Sequence, residues 1–173
     1  SWQVPHFEKM LYTQALLSEV YRQAAGLFGR ADYAAVARET LDFVMREMAG
    51  PQGGYVASFS AVDGAGREGA VYLWAADELD ALLGEPDGTL ARRHWQLADP
   101  PLLDGGNLPR QGQTVAQIAT ATGMTAAETG RRLAAIRGRL LAARAKRTLP
   151  VDDKELAGWN GLMLTAFARA ALT

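Results

Sequence analysis

Apolar residues recur at steps of three and four over most of this chain, and that period predicts helices. Phe7, Met10, Leu11, Ala15, Leu17, Tyr21, Ala25 and Phe28 mark a first helix, with Pro5 placed in its opening turn. Tyr33, Val36, Ala37, Thr40, Leu41, Val44, Met45 and Met48 mark a second, while Arg38, Glu39, Asp42, Arg46 and Glu47 take its polar faces. Only Gly29-Arg30-Ala31-Asp32 separates them, so residues 1–49 are expected to form an antiparallel helical hairpin.

After Gly50-Pro51-Gln52-Gly53-Gly54 the period changes to two. Tyr55, Ala57, Phe59 and Ala61 alternate with Val56, Ser58, Ser60 and Val62; a turn follows at Asp63-Gly64-Ala65-Gly66, then Val71-Tyr72-Leu73-Trp74. This pattern predicts a small β-hairpin over 53–74. Helical spacing returns over Asp77–Leu83, Thr89–Leu97, Thr114–Thr122, a capping-box start at Thr125-Ala126-Ala127-Glu128 running to Arg147, and Glu155–Ala171. Residues 75–173 thus read as helices interrupted by a Pro/Gly-rich loop at 99–112. The expected fold class is mainly α with one small β-hairpin insertion.

Composition narrows the function classes. At 173 residues, 49% hydrophobic and formal net charge −1, the chain has the balance of a globular domain and no global pull toward nucleic acid or an anionic membrane. It has no cysteine, which removes disulfides, thiolate metal sites and cysteine nucleophiles and fits a cytoplasmic protein. No apolar run is long enough to span a bilayer, so no membrane partner is expected. Arginine far outnumbers lysine, an association with high-GC bacterial genomes. No metal or cofactor is expected.

Three clusters carry chemistry-bearing side chains. His6, Glu8 and Lys9 crowd the expected first helical turn, where a helix N-terminus lowers the affinity of a histidine for its proton and suits neutral-pH proton transfer. The bland alternative is a solvated helix start. Asp152-Asp153-Lys154 precede Trp159-Asn160: an aromatic face and an amide could receive a sugar, or the tryptophan is simply core. Asp63 and Glu68 flank the hairpin turn, which acidic residues also shape on their own. A competing class is helix-turn-helix DNA binding through 115–147, with Gly123 in the turn. Arg132, Arg139 and Lys146 recur there at seven-residue intervals. Thr129 opposes it, standing where such a motif buries an apolar side chain.

Taken in order, these segments resemble one family. W-Q-V-P-H-F-E-K-M-L-Y (Trp2–Tyr12), E-T-L-D-F (Glu39–Phe43), Gly53-Gly54-Tyr55, E-G-x-x-Y-x-W (Glu68–Trp74) and D-D-K-x-L-x-x-W-N-G-L-M (Asp152–Met163, with Glu155 before Leu156) are similar to the pattern of thioredoxin domain-containing proteins of the YyaL and spermatogenesis-associated protein 20 type (DUF255). The resemblance implies a fragment of an (α/α)6 six-hairpin toroid, similar to N-acylglucosamine 2-epimerase and six-hairpin glycosidases, with a thioredoxin-like domain upstream of Ser1. It implies a carbohydrate ligand, with His6 as first candidate acid or base. Glu8, Lys9 or Lys154 would orient substrate, and Trp159 and Asn160 would hold the sugar. Asp63, Glu68, Asp152 and Asp153 are further candidates for the binding surface. Thr13, Ser60 and Val62 stand where the family carries aspartates, which implies an impaired or non-catalytic site. A partial toroid would also expose apolar helix faces and self-associate.

Overall fold

A computed structural model describes residues 4–98, 101, 103 and 105–172. The fold is mainly helical with a three-stranded antiparallel sheet. The strands are β1 (Lys9–Met10), β2 (Ser58–Phe59) and β3 (Val151–Asp152). The helices are α1 (Leu11–Phe28), α2 (Ala31–Glu47), α3 (Ala76–Leu83), α4 (Asp87–Trp95), α5 (Val115–Thr122), α6 (Ala126–Arg144) and α7 (Ala157–Ala170). The chain divides into two compact units: residues 6–61 with 150–172, and residues 62–149, with which Val4 and Pro5 cluster.

In the first unit the expected helical hairpin forms. Gly29 ends α1 in the left-handed conformation at φ 64°, and its N–H donates to the Ala25 carbonyl. Lacking a Cβ, glycine takes this geometry without strain. The chain then reverses, and Tyr21 meets Tyr33 edge-on at 5.7 Å. Leu11, Ala15, Leu41, Val44, Met48, Val56, Met163 and Ala166 form one buried core, joining α1, α2 and α7. Burial of each large side chain contributes about 2 kcal/mol.

Two expectations need correction here. The first helix does not begin at Pro5. Lys9–Met10 instead pair with Ser58–Phe59, and the Leu11 N–H donates to the Ala57 carbonyl at 2.9 Å, so the ladder takes the backbone that a helical turn would have used. Nor does the 55–62 stretch pair with 71–74. Its strand β2 lies between β1 and β3 in the register Lys9–Phe59–Val151 and Met10–Ser58–Asp152. The chain does reverse at Asp63–Gly66, closed by an antiparallel bridge between Val62 and Glu68. Alternation fixes a period but not a partner, and the Pro150 connection supplied an unexpected strand.

The second unit packs α3–α6 around Trp74, Leu79, Leu83, Leu90, Ala91, Leu97, Ile118, Leu133, Ile136 and Leu140. Thr114 and Thr125 each close a capping box, with Gln117 and Glu128 respectively. Trp74 exchanges backbone hydrogen bonds with Asn107 at 2.9 and 2.8 Å rather than joining a strand. Gly106 permits this approach, because a Cβ there would lie 2.8 Å from the Trp74 carbonyl. Of the loop expected over 99–112, residues 99, 100, 102 and 104 lie outside the described residues, as do Ser1–Gln3.

Candidate functional site

In the 6–61 and 150–172 unit, the sheet brings two of the sequence clusters to one end. Strands β1 and β3 both run antiparallel to β2, so they are parallel to each other. Each leads into a helix, β1 directly into α1 and β3 after four residues into α7. The helices therefore start at the same end. Tyr12 and Trp159, in their first turns, meet edge-on at 4.8 Å, and Glu19 accepts from Arg169 at 3.2 Å further along. Helices α1 and α7 are thus parallel neighbours, while α2 returns antiparallel to α1.

Around this end stand His6, Glu8, Lys9, Asp152, Asp153, Lys154, Trp159 and Asn160. His6 lies ahead of β1, five residues before α1, so the helix terminus expected beside it is not there. Its Nε2 is 3.7 Å from a Glu8 carboxylate oxygen, and its side chain is 68% exposed. Lys9 donates from Nζ to the Phe7 carbonyl at 3.0 Å. Cross-strand partners share a face, so Lys9 lies with Phe59 and Val151, while Asp152 lies on the opposite face with Met10 and Ser58. The two clusters share an end but not a face. Lys154 donates to Asp152 at 2.9 Å, and that ammonium holds the Asp152 carboxyl below its ordinary range.

Asn160 is committed to the backbone. Its Oδ1 accepts from the Tyr55 N–H at 2.8 Å, and its Nδ2 donates to the Tyr55 carbonyl at 3.0 Å. One residue earlier in the loop the same job falls to Glu155, whose carboxylate accepts from Gln52 and Gly54 N–H groups at 3.1 and 3.0 Å. A Cβ at Gly50 or Gly54 would collide with that carboxylate, whereas Gly53 of the same loop takes the left-handed region at φ 93°. Sequence reasoning missed Glu155 because a lone glutamate before a helix has no spacing signal. The glycines around its partners were the available clue.

Asp63 and Glu68 belong to the 62–149 unit. They border an open cleft of about 760 Å³ that Arg67, Glu78, Arg147 and Thr148 also line. Asp63 shapes the turn: its carboxylate accepts from the Ala65 and Arg67 N–H groups at 2.9 Å and from the Arg67 side chain. Those bonds, the Arg67 N–H first, hold its carboxyl below the ordinary range. Arg147, expected as the end of the long helix, lies three residues beyond α6. Its guanidinium lies 4.1 Å from the Trp74 ring centre, donates to the Val71 and Leu73 carbonyls at 2.8 and 2.7 Å, and pairs with both oxygens of Glu78.

Two of the three basic residues of the expected DNA-binding stripe, Arg132 and Arg139, have internal work as well. Arg132 and Arg139 both pair with Asp87, at 2.6 and 2.9 Å, and Arg139 also donates to the Leu82 carbonyl. The α5–Gly123–α6 turn forms, with Gly123 at φ 74°. Thr129 is buried, its hydroxyl donating to the Thr125 carbonyl at 3.0 Å. Among the described residues no three histidine or acidic groups gather as metal ligands, and no helix is long and apolar enough to cross a membrane.

Fold and packing define a mainly α protein built on a helical hairpin, with parallel helices springing from a small sheet. Its homologues include spermatogenesis-associated protein 20 of mouse and of human, each 35% identical over 96% of this chain and 24% of the relative. An uncharacterised protein of Caenorhabditis elegans is 27% identical over 98% of the chain. The chain spans about a quarter of the length of the relatives it matches. No protein-family model matches it.

Proposed function

We propose that residues 6–61 and 150–172 are a wedge of an (α/α)6 six-hairpin toroid of the glycosidase and epimerase-like kind, and that the wedge binds carbohydrate at the end where α1 and α7 begin. The observation that carries this reading is the parallel pair α1 and α7, started side by side with Tyr12 against Trp159, while α2 returns antiparallel. A toroid repeats that arrangement: inner helices run in one direction, and outer helices run back. The half-buried Trp159 indole would then offer a face to a sugar ring, with the exposed His6–Glu8 pair at the same end of the fold.

The reading is of binding rather than turnover. Asn160 spends its amide on Tyr55, Asp152 is neutralised by Lys154, and Thr13 and Ser60 supply no carboxylate at their positions. Asn160 and Glu155 then act as positioning residues for the Gly50–Tyr55 loop. Duplex DNA is less well served, since Arg132, Arg139 and Arg147 already have internal acceptors.

The test is titration of the chain with N-acetylglucosamine and glucose while the Trp159 indole and His6 ring signals are followed by NMR. The expected result is saturable shifts at both, lost at Trp159→Ala. Shifts absent at millimolar sugar, or confined to the 62–149 unit, overturn the reading. Conversion of either sugar to its 2-epimer, abolished by His6→Gln, would replace binding with catalysis.

A further inference from the structure

Two of the segments singled out in the sequence, Trp2–Tyr12 through its Lys9 and Glu39–Phe43, meet at a pocket that the sugar reading leaves unused. In α2, Val36, Glu39, Thr40 and Phe43 are spaced so that they share one face of the helix. That face looks onto Lys9 of β1 and Gln14 in the first turn of α1, and these side chains line a hollow of about 280 Å³. Leu41 of the same segment turns into the core instead.

The rim carries both signs of charge. The Lys9 ammonium is held at the backbone by its bond to the Phe7 carbonyl at 3.0 Å. An ammonium has three donors, so that bond does not exhaust it. Glu39 has no ion-pair partner, and the Gln14 amide no hydrogen bond, among the described residues. The Thr40 hydroxyl donates to the Val36 carbonyl at 2.8 Å, so toward a ligand it accepts. The base is apolar, formed by Val36 and half-buried Phe43, whose ring is braced edge-on by Phe59 at 6.2 Å. Phe59 is also the cross-strand partner of Lys9, so the sheet fixes the cation relative to the aromatic base.

Opposite charges above an apolar base select a ligand. A neutral sugar would leave both charges without a counterpart. The hollow also falls just under the about 300 Å³ at which small-molecule sites usually begin, which excludes a sugar chain. An anion alone would meet the Glu39 carboxylate, and a cation alone the Lys9 ammonium.

We propose that this pocket binds a small zwitterion with an aliphatic side chain, a free α-amino acid of the leucine kind. Its carboxylate meets Lys9 and Gln14, its ammonium meets Glu39 and Thr40, and its side chain lies on Val36 and Phe43. Lys9 stands on the sheet face opposite Asp152, so the site does not depend on sugar affinity.

The experiment titrates the whole chain with L-leucine and follows the amides of Gln14, Thr40 and Phe43 by NMR. Two probes with the same carbon frame each remove one charge: leucinamide lacks the carboxylate, and isocaproate lacks the ammonium. Leucine is expected to give saturable shifts, with each single-charge probe about fivefold weaker, as for the loss of one exposed ion pair. Glu39→Gln, an exposed change that leaves the circular dichroism intact, weakens leucine about fivefold and brings isocaproate level with it. High salt narrows these differences.

Absence of saturable shifts up to the solubility limit of leucine overturns the proposal, as does an equal response to all three probes. Isocaproate binding the wild type as tightly as leucine would make Lys9 a lone anion site and overturns it too. So does a leucine affinity untouched by Glu39→Gln.

Discussion

Asn107 and Asn160 make the same pair of bonds in different surroundings. Asn107, in the 62–149 unit, accepts from the Ala98 N–H at 3.1 Å and donates to its carbonyl at 2.8 Å. Asn160 treats Tyr55 the same way in the other unit. In each case one amide side chain imitates a rung of a β-ladder where no strand is available. Asn107, however, is 1% exposed beside the Trp74 backbone, whereas Asn160 is half-buried on the first turn of α7.

The contrast extends to the cations. The 62–149 unit spends Arg132, Arg139 and Arg147 on its own acceptors, and in the other unit Arg22 pairs with Glu19 and Arg30 with Asp32, close by in the chain. One unit spends these guanidiniums across its own fold, and the other pairs Arg22 and Arg30 with acids two or three residues away.

Substitutions can break this contrast. The largest expected effect is at Arg147→Ala, which strips the donor from three backbone carbonyls and from Glu78 and uncovers Trp74. It should destabilise the 62–149 unit by about 3 kcal/mol in denaturant unfolding. Arg147→Lys should rescue little, since an ammonium cannot reproduce the planar fork. Asn107→Ala should follow at about 2 kcal/mol, read as faster hydrogen exchange at the Ala98 amide.

Asn160→Ala should cost about 1 kcal/mol, because water can reach Tyr55 more readily, and should raise exchange at the Tyr55 amide only. Equal losses at the two asparagines would show that burial does not separate them. The smallest effect is expected at Glu19→Gln. The Arg22 side chain, and then Gln23, hold the Glu19 carboxyl down from 4.5 to about 2. A carboxyl lowered on folding stabilises above its unfolded value, and the gain is lost as pH falls toward the folded one. Wild type should therefore exceed Glu19→Gln by less than about 1 kcal/mol at neutral pH, the gap closing between pH 4.5 and about 2 in thermal melts.

Much of the helical framework was legible because burial imposes a 3.6-residue period on it. α2, α3 and α6 declare themselves through Leu41 and Val44, Leu79 and Leu83, and Leu133, Ile136 and Leu140. The cap at Thr125 was equally plain, since a capping box is local chemistry, whereas Thr114 was expected inside its helix and instead caps it. Strand pairing was not legible. Two-residue strands leave almost no pattern, and the partners of Ser58 are Met10 and Asp152, each tens of residues away in the chain. Charge roles were hidden for the same reason. Arg132 and Arg139 read as a free basic stripe until Asp87, on a different helix, is placed opposite them. Asn160 read as a ligand donor because Tyr55 was not known to be its neighbour.

The β2–β3 ladder holds together the places where the chain departs for residues 62–149 and comes back. The Ser60 N–H donates to the Pro150 carbonyl at 2.9 Å, and Phe59 faces Val151. A long excursion between such closely held ends adds only logarithmically to the entropy of closing the loop. The excursion is therefore an exchangeable cassette: its length and contents can drift while the ladder keeps its registration. Joining Ser60 to Pro150 through a tight turn should convert β2 and β3 into an ordinary hairpin, leaving α1, α2 and α7 with the same core to bury.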